Sequence, residues 1–271
     1  MDVVEANGFN IPIIGLGTWA LRGHECARIV EQAIRLGYRH IDTAQLYDNE
    51  RDVGEGVRAS GKRREVMVTT KVQPTMLAPP DLERSVKESL AKLQLDAIDL
   101  LLIHWPNPRI PLSETLGAMA KIKHEGYVKQ IGVSNFTVAL LEEAIKVTSE
   151  PLVCNQIECH PFLDQDKVIT ACKRHGMAVV AYSPIARGGA IGDKVLGRIG
   201  EAHGKSAAQV CLRWLTQKGI AVIPRTSKVE RLTENLANLE FDLSDAEMKE
   251  ITGLARRRGR IVDWSWSPKW D

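Results

Sequence analysis

The chain has 271 residues, 44% of them hydrophobic and 26% charged, with a formal net charge of +2. These are ordinary globular proportions, and so small a positive excess excludes the electrostatic footprint of a nucleic-acid-binding protein. No apolar run reaches the ~20 residues of a membrane span, and the opening MDVVEANGFN has neither a basic n-region nor an apolar h-region, so the expectation is a cytoplasmic protein with no membrane partner.

The first element in the chain is a hairpin. Asn7-Gly8 lies between the extended runs VVEA and FNIPII, the strongest short hairpin signal. A strand near Ile13 to Leu16 follows, then Arg39 to Ile41 and Val66 to Thr70. A helical pattern from Leu82 to Leu93 places Val86, Leu90 and Leu93 on one face. After it, strands at Ile98–Ile103, Val128–Val133, Val153–Ile157, Ala178–Ala181 and Ile220–Ile223 alternate with helical patterns at Leu112–Lys123, Val138–Val147 and Val168–His175. The Gly-rich ARGGAIGD, Ala186 to Asp193, reads as a long βα loop. The strands are short and rich in Val and Ile, as buried parallel strands are. Eight strand–helix units predict an α/β fold, a closed (β/α)8 TIM barrel, as a single domain over 1–271 with the hairpin plugging its bottom. An open doubly wound sheet would carry G-x-G-x-x-G after its first strand. Here Gly15 and Gly17 are followed by Thr18 and Trp19, and the pattern is missing.

The five cysteines, Cys26, Cys154, Cys159, Cys172 and Cys211, are odd in number and irregularly spaced. A disulfide framework is not expected, and buried free thiols are. Cys154, Cys159 and His160 lack the close paired spacing of a structural zinc site, so no metal is expected.

In a barrel, reactive groups stand at the C-terminal ends of the strands. Past the second strand come Asp42 and, a short loop later, Tyr47; past the third comes Lys71; past the fourth comes His104. Ionised groups at the ends of buried runs are costly unless paired. Paired, they suit proton chemistry: an ammonium beside a phenol lowers its pKa, so Lys71, held by Asp42, would let Tyr47 act as a general acid while His104 orients a substrate oxygen. No nucleophile accompanies the set, which asks for an external one, and a hydride from nicotinamide would serve.

The later strand ends could hold that cofactor. Ser134, Asn135 and Gln156 offer carboxamide partners, and Tyr182 offers a ring to stack on. After the eighth strand, Arg225, Thr226, Ser227 and Lys228, with Arg231 one turn later, lie where barrels frequently bind phosphate at a helix N-terminus.

IDTAQLYDNE, TTK, LLIHWP, GVSNF, NQIE, YSP and IPRTSKVERLTEN, in this order between Gly15 and Asn235, resemble the aldo-keto reductase family. The short chain and the closing SPKWD are similar to its prokaryotic branch of 2,5-diketo-D-gluconic acid and methylglyoxal reductases. The resemblance implies NADPH-dependent reduction of aldehydes and ketones by a monomer. It implies that Tyr47 donates the proton, Lys71 and Asp42 tune it, and His104 positions the carbonyl. Ser134, Asn135 and Gln156 would hold the carboxamide, Tyr182 would stack on nicotinamide, and Ser183, Pro184 and Ile185 would pass the pyrophosphate. Arg225, Thr226 and Arg231 would hold the 2′-phosphate with Glu234 and Asn235 on the adenine; Thr18 and Ser227 complete the cofactor set. Trp19, Gln73 and Trp105 would wall the substrate pocket beside His104. Two departures stand out: Arg225 takes a place where the family often has Lys, and KVQ follows the third strand where an aromatic residue is common. The tail RRRGRIVDWSWSPKW has two readings, tryptophans packed over the barrel or a flap bounding the substrate pocket. The alternative to an enzyme is an NADPH-binding regulatory or sensor protein with little turnover.

Overall fold

The computed structural model describes residues 2–271. β1 (Val3–Ala6) and β2 (Phe9–Pro12) form the expected antiparallel hairpin, and Asn7 and Gly8 both take positive φ at its turn. Asn7 Nδ2 donates to the carbonyl oxygens of Leu152 and His175. Leu152 opens a barrel strand, so the hairpin covers the N-terminal end of the barrel, as expected.

Eight parallel strands follow, each paired with its chain neighbour: β3 (Leu16–Gly17), β4 (His40–Asp42), β5 (Met67–Val72), β6 (Ile98–Ile103), β7 (Val128–Ser134), β8 (Leu152–Glu158), β9 (Ala178–Tyr182) and β10 (Ala221–Val222). Parallel bridges Ile14↔Val222 and Gly17↔Arg225 join the two ends and close the barrel. The outer helices are α1 (Gly23–Leu36), α2 (Glu50–Ala59), α3 (Pro79–Leu93), α4 (Leu112–His124), α5 (Val138–Val147), α6 (Asp166–Arg174), α7 (Lys194–His203), α8 (Ala207–Gln217), α9 (Val229–Leu236) and α10 (Asp245–Thr252). The loop expected over Ala186 to Asp193 contains one short helical turn, Ala186–Gly188, and ends where Asp193 caps α7 by accepting from the Val195 and Leu196 amides. Among the described residues, no helix is long and apolar enough to cross a membrane. The five cysteines are buried free thiols.

β3 starts later than the sequence expectation and β10 is shorter at both ends, while five other strands differ from it in a common way. β4, β5, β7, β8 and β9 run one or two residues further, to Asp42, Val72, Ser134, Glu158 and Tyr182. The apolar pattern stops early because the last rungs carry polar side chains into the barrel mouth, while the backbone ladder continues. α3 starts three residues before Leu82, on Pro79 and Pro80, which suit a first helical turn.

Alternation along each strand decides what faces inward. Met67, Leu100, Leu102, Cys154, Ala178, Val180, Ala221 and Ile223 share one buried cluster with Ala6 and Ile11 of the hairpin, which is the barrel interior. The same parity carried toward the C-terminal ends reaches Lys71, His104, Gln156, Glu158 and Tyr182. The inner lining is therefore apolar below and polar above. The outward parity, with Ile41, Val68, Leu101, Ile103 and Val133, packs against the helices.

Gly15 and Gly17 serve the closure. A Cβ on Gly17 would lie 2.7 Å from the Ile223 carbonyl oxygen across the seam, and one on Gly15 would lie 2.7 Å from His40 Nδ1. Gly17→Ala is expected to push β3 off β10 and cost about 1–3 kcal/mol, the usual range for overpacking; a thermal or urea melt checks it, and an unchanged midpoint would refute the seam argument.

Candidate active site

At the mouth, Lys71 and Asp42 are both fully buried and their Nζ and Oδ1 atoms are 2.5 Å apart. Lys71 Nζ also donates to the Thr43 carbonyl at 2.8 Å and reaches Tyr47 Oη at 3.5 Å. The second Asp42 oxygen accepts from Gln156 Nε2 at 2.7 Å. A buried ion pair is tolerated when its remaining lone pairs and protons find partners, and here they do. Burial alone would lower the Lys71 pKa; Asp42 and Tyr47 together outweigh it and hold the group above its ordinary value, so it is an ammonium.

Tyr47 stands on a single helical turn, Gln45–Tyr47, directly after β4. Gln45 fixes that turn: its Oε1 accepts from the Gln73 amide and its Nε2 donates to Ser85 Oγ and Ser89 Oγ on α3. Asn49 fixes the other side. It precedes α2, but its side chain makes no capping bond; it donates to the Thr18 and Leu21 carbonyls and accepts from Thr43 Oγ1. Glu50 opens α2 and is buried, with one oxygen accepting from Thr70 Oγ1 at 2.6 Å and the other without a hydrogen bond, 4.0 Å from Lys92 Nζ. Gln45 and Asn49 were not legible as positioning residues, because most of their partners lie on segments 28 to 44 residues away in the chain.

Burial pushes the Tyr47 phenol above its ordinary pKa, Lys71 opposes that rise, and Asp42 adds to it. The sequence expectation of a net lowering is thus reversed: the phenol is held protonated, with an ammonium beside it where a phenolate would form. His104 meets the Tyr47 ring edge-on at 5.7 Å between centroids. Burial, reinforced by Lys71, keeps His104 well below the usual histidine range, so it is a neutral imidazole. Its Nδ1 has no partner among the described residues.

The other expected site residues lie at the strand ends and loops of the same mouth, several of them with hydrogen-bond partners. Asn135, at positive φ, donates to the His104 carbonyl and accepts from Tyr182 Oη. Ser134 Oγ donates to the Gln156 carbonyl, and Thr18 Oγ1 to the Asp42 carbonyl. Ser183 takes positive φ, turning the chain before the buried Pro184 and half-buried Ile185. Trp19 is half exposed, Trp105 is buried, and Gln73 is half-buried beside the Gln45 turn. At the start of α9, Arg225, Lys228 and Arg231 are exposed, with Thr226 buried and Ser227 half-buried between them. None of these three cations forms an ion pair among the described residues. Lys228, at the N-cap position, leaves the first-turn amides without a side-chain cap. Glu234 is engaged by Ser206 Oγ, and Asn235 is buried.

The sequence profile of the Aldo/keto reductase family matches residues 13–256. The chain belongs to the aldo/keto reductase family. It is 40% identical to the methylglyoxal reductase DkgB of Yersinia pestis, over 97% of this chain and all of that one. It is 34% identical to the NADP-dependent D-sorbitol-6-phosphate dehydrogenase of Malus domestica, over 97% of both. A solved structure whose name refers to 2,5-diketo-D-gluconic acid reductase B superposes with a TM-score of 0.98 at 44% identity, covering 100% of this chain and 98% of the other. This aldo/keto reductase is thus an oxidoreductase with relatives named for carbonyl reduction. Among the described residues no group of three or more His, Cys, Asp or Glu could hold a metal ion. A cleft of about 490 Å³ between α2 and α3, lined by Arg58, Lys62 and Arg64, lies at the other end of the barrel and contains none of the groups above.

Beneath the ion pair lies His40, buried, with Nε2 3.0 Å from Thr69 Oγ1 and Nδ1 unpartnered. Burial lowers its pKa from 6.5 to about 4, opposed by Asp42 and Asp99 and helped by Lys71. The unfolded chain therefore binds the proton first. Stability from this residue is complete above the ordinary value and is lost as pH falls from about 6.5 toward 4, about 3 kcal/mol in all. His104 acts in the same direction. His40→Gln is expected to flatten the loss of urea midpoint between pH 7.5 and 5; an unaltered slope would remove His40 as its source.

Proposed function

We propose that this protein is a cytoplasmic, monomeric reductase of small aldehydes, keto-sugars and dicarbonyls, with NADPH as reductant and Tyr47 as proton donor. The observation that carries the reading is the buried Lys71–Asp42 pair set beside the Tyr47 hydroxyl. The set contains a proton donor and a fixed positive charge but no nucleophile, which suits a reaction whose second electron pair comes from outside the protein.

The residues fit the cofactor. Three exposed, unpaired cations at the uncapped start of α9 suit a phosphate, since guanidinium and free backbone N–H groups both favour it. Arg225 and Arg231, with Thr226, would hold the 2′-phosphate, and the NADP dependence in the name of the D-sorbitol-6-phosphate dehydrogenase relative supports that choice. Tyr182, Ser134, Asn135 and Gln156 would hold the nicotinamide end. NADPH, when bound, supplies the hydride to the carbonyl carbon.

The chain's own groups do the rest. His104, neutral, orients the carbonyl oxygen without competing for the proton. Tyr47 gives its proton to that oxygen as negative charge develops there. Lys71 stabilises the phenolate left behind, and Asp42 keeps Lys71 charged and in place. The product is the alcohol, and Tyr47 is reprotonated from water.

Tyr47→Phe is expected to cut carbonyl reduction by about 10²–10⁴, the usual worth of a general acid, with NADPH affinity retained by fluorescence titration; full turnover would end the mechanism. Because Tyr47 must be protonated and its pKa is raised from 10, reduction is expected to hold flat through neutral pH and fall only above the ordinary phenol range. A fall near pH 8 would point to another proton donor. Arg231→Ala is expected to raise the KM for NADPH about tenfold, the worth of one charge-assisted hydrogen bond, and to leave NADH unaffected; equal changes for both would place Arg231 elsewhere than at the 2′-phosphate.

A further inference from the structure

Glu158 is the last residue of β8 and lies on the inward parity, beside Tyr182 in the ladder. Its side chain is fully buried, and no lysine or arginine pairs with it among the described residues. Such a carboxylate is expensive unless each oxygen finds donors. Glu158 finds three. Oε1 accepts from the Ile261 amide at 2.6 Å and from His160 Nε2 at 3.0 Å; Oε2 accepts from the Val262 amide at 2.7 Å. Burial would raise this carboxyl, and those bonds hold it below the ordinary range. Two of the three donors belong to the C-terminal tail, which has no helix or strand after α10. Its amides therefore need partners from the barrel.

The approach to this point is tight. The Arg256 amide donates to the Phe162 carbonyl, and the Arg256 guanidinium lies over the Phe162 ring. Gly259 then passes so close that a Cβ there would fall 1.7 Å from the same carbonyl oxygen. Beyond Val262 the tail folds on itself. Trp270 Nε1 donates to Asp263, the Arg260 guanidinium lies 3.6 Å from the Trp270 ring centroid, and Asp271 accepts from the Val138 amide. This places Trp266 and Trp270 edge-on against Trp105, at 5.1 and 6.0 Å between centroids. Trp105 directly follows His104.

We propose that Glu158 is a positioning residue that latches the tail by its Ile261 and Val262 amides, so that Trp266 and Trp270 wall the carbonyl pocket at Trp105. The latch acts on the substrate, not on the cofactor or on proton transfer. Its kinetic consequence rests on the carbonyl reductase reading above; its physical consequence does not.

Glu158→Gln keeps the side-chain volume but turns one acceptor into a donor facing an amide. Gly259→Ala tests the same latch from the exposed tail, leaves Glu158 intact, and serves alone if Glu158→Gln does not fold. In each variant, hydrogen exchange of the tail segment containing Ile261 and Val262 is expected to speed up about tenfold, with a red shift of tryptophan emission as Trp105 meets water. The KM for a bulky aldehyde is expected to rise about tenfold, the worth of a charge-assisted hydrogen bond, with kcat within about twofold and NADPH affinity unchanged. The double variant is expected to do little more than either alone, since both break one device. Unchanged tail exchange in Gly259→Ala would overturn the latch. So would loss of NADPH affinity or kcat in Glu158→Gln with the tail still protected, which would make Glu158 a support for Tyr182. A wild-type protein that reduces no carbonyl would sink the function above, and the exchange and emission measurements would still decide the latch.

Discussion

The Lys71–Asp42 ion pair is the constraint around which the mouth of the barrel is built. Neither charge is stable in a dry interior alone, and the pair is acceptable only because every remaining site on it is occupied: Thr43 and Tyr47 on the ammonium, Gln156 on the carboxylate. The pair joins β4 to β5, and its partners come from the turn after β4 and from β8. The pair therefore fixes four parts of the chain at once, and each is fixed where its side chain has chemical use. The same low dielectric that makes the pair costly makes its field strong. Burial keeps His104 neutral with Lys71 adding to it, and Lys71 opposes the rise of the Tyr47 pKa while Asp42 adds to that rise.

Support for this centre is distributed across the loops. Asn49 ties the loop after β3 to the turn after β4, and Gln45 ties that turn to the end of β5 and to α3. Without them Tyr47 would ride on a free turn. The opposite rim is organised in the same manner by carboxylate chemistry. Glu158 accepts tail amides much as Asp42 accepts Lys71 and Gln156, and both sit at the end of a barrel strand with inward parity. A barrel whose lining is apolar below and polar above uses its lower half for stability and its upper half for placing charge.

The eight strands, the hairpin and four of the helices, α3 to α6, were legible from local pattern. Val- and Ile-rich runs separated by helical periodicity admit few arrangements, and Asn7-Gly8 admits one turn. Strand ends were read short wherever the apolar pattern gave way to Asp42, Lys71, Ser134, Glu158 or Tyr182. The backbone does not need an apolar side chain to continue a ladder; it needs a neighbour. The catalytic set was legible because charged residues at the ends of buried runs are anomalous one by one and coherent together.

The sequence by itself determined the architecture, the family and the identity of the polar groups at the mouth, since periodicity, turn residues and motif order are local properties. Tertiary structure alone decided the direction of the Tyr47 shift, because desolvation depends on everything packed around a group and not on its one nearest charge. It decided that Gln156 spends its amide on Asp42, that Gly15 and Gly17 belong to the barrel seam, and that the tail is fastened to Glu158, about 100 residues earlier in the chain. Each is a contact between segments far apart in sequence, and no local pattern encodes which distant partner a buried polar atom will find.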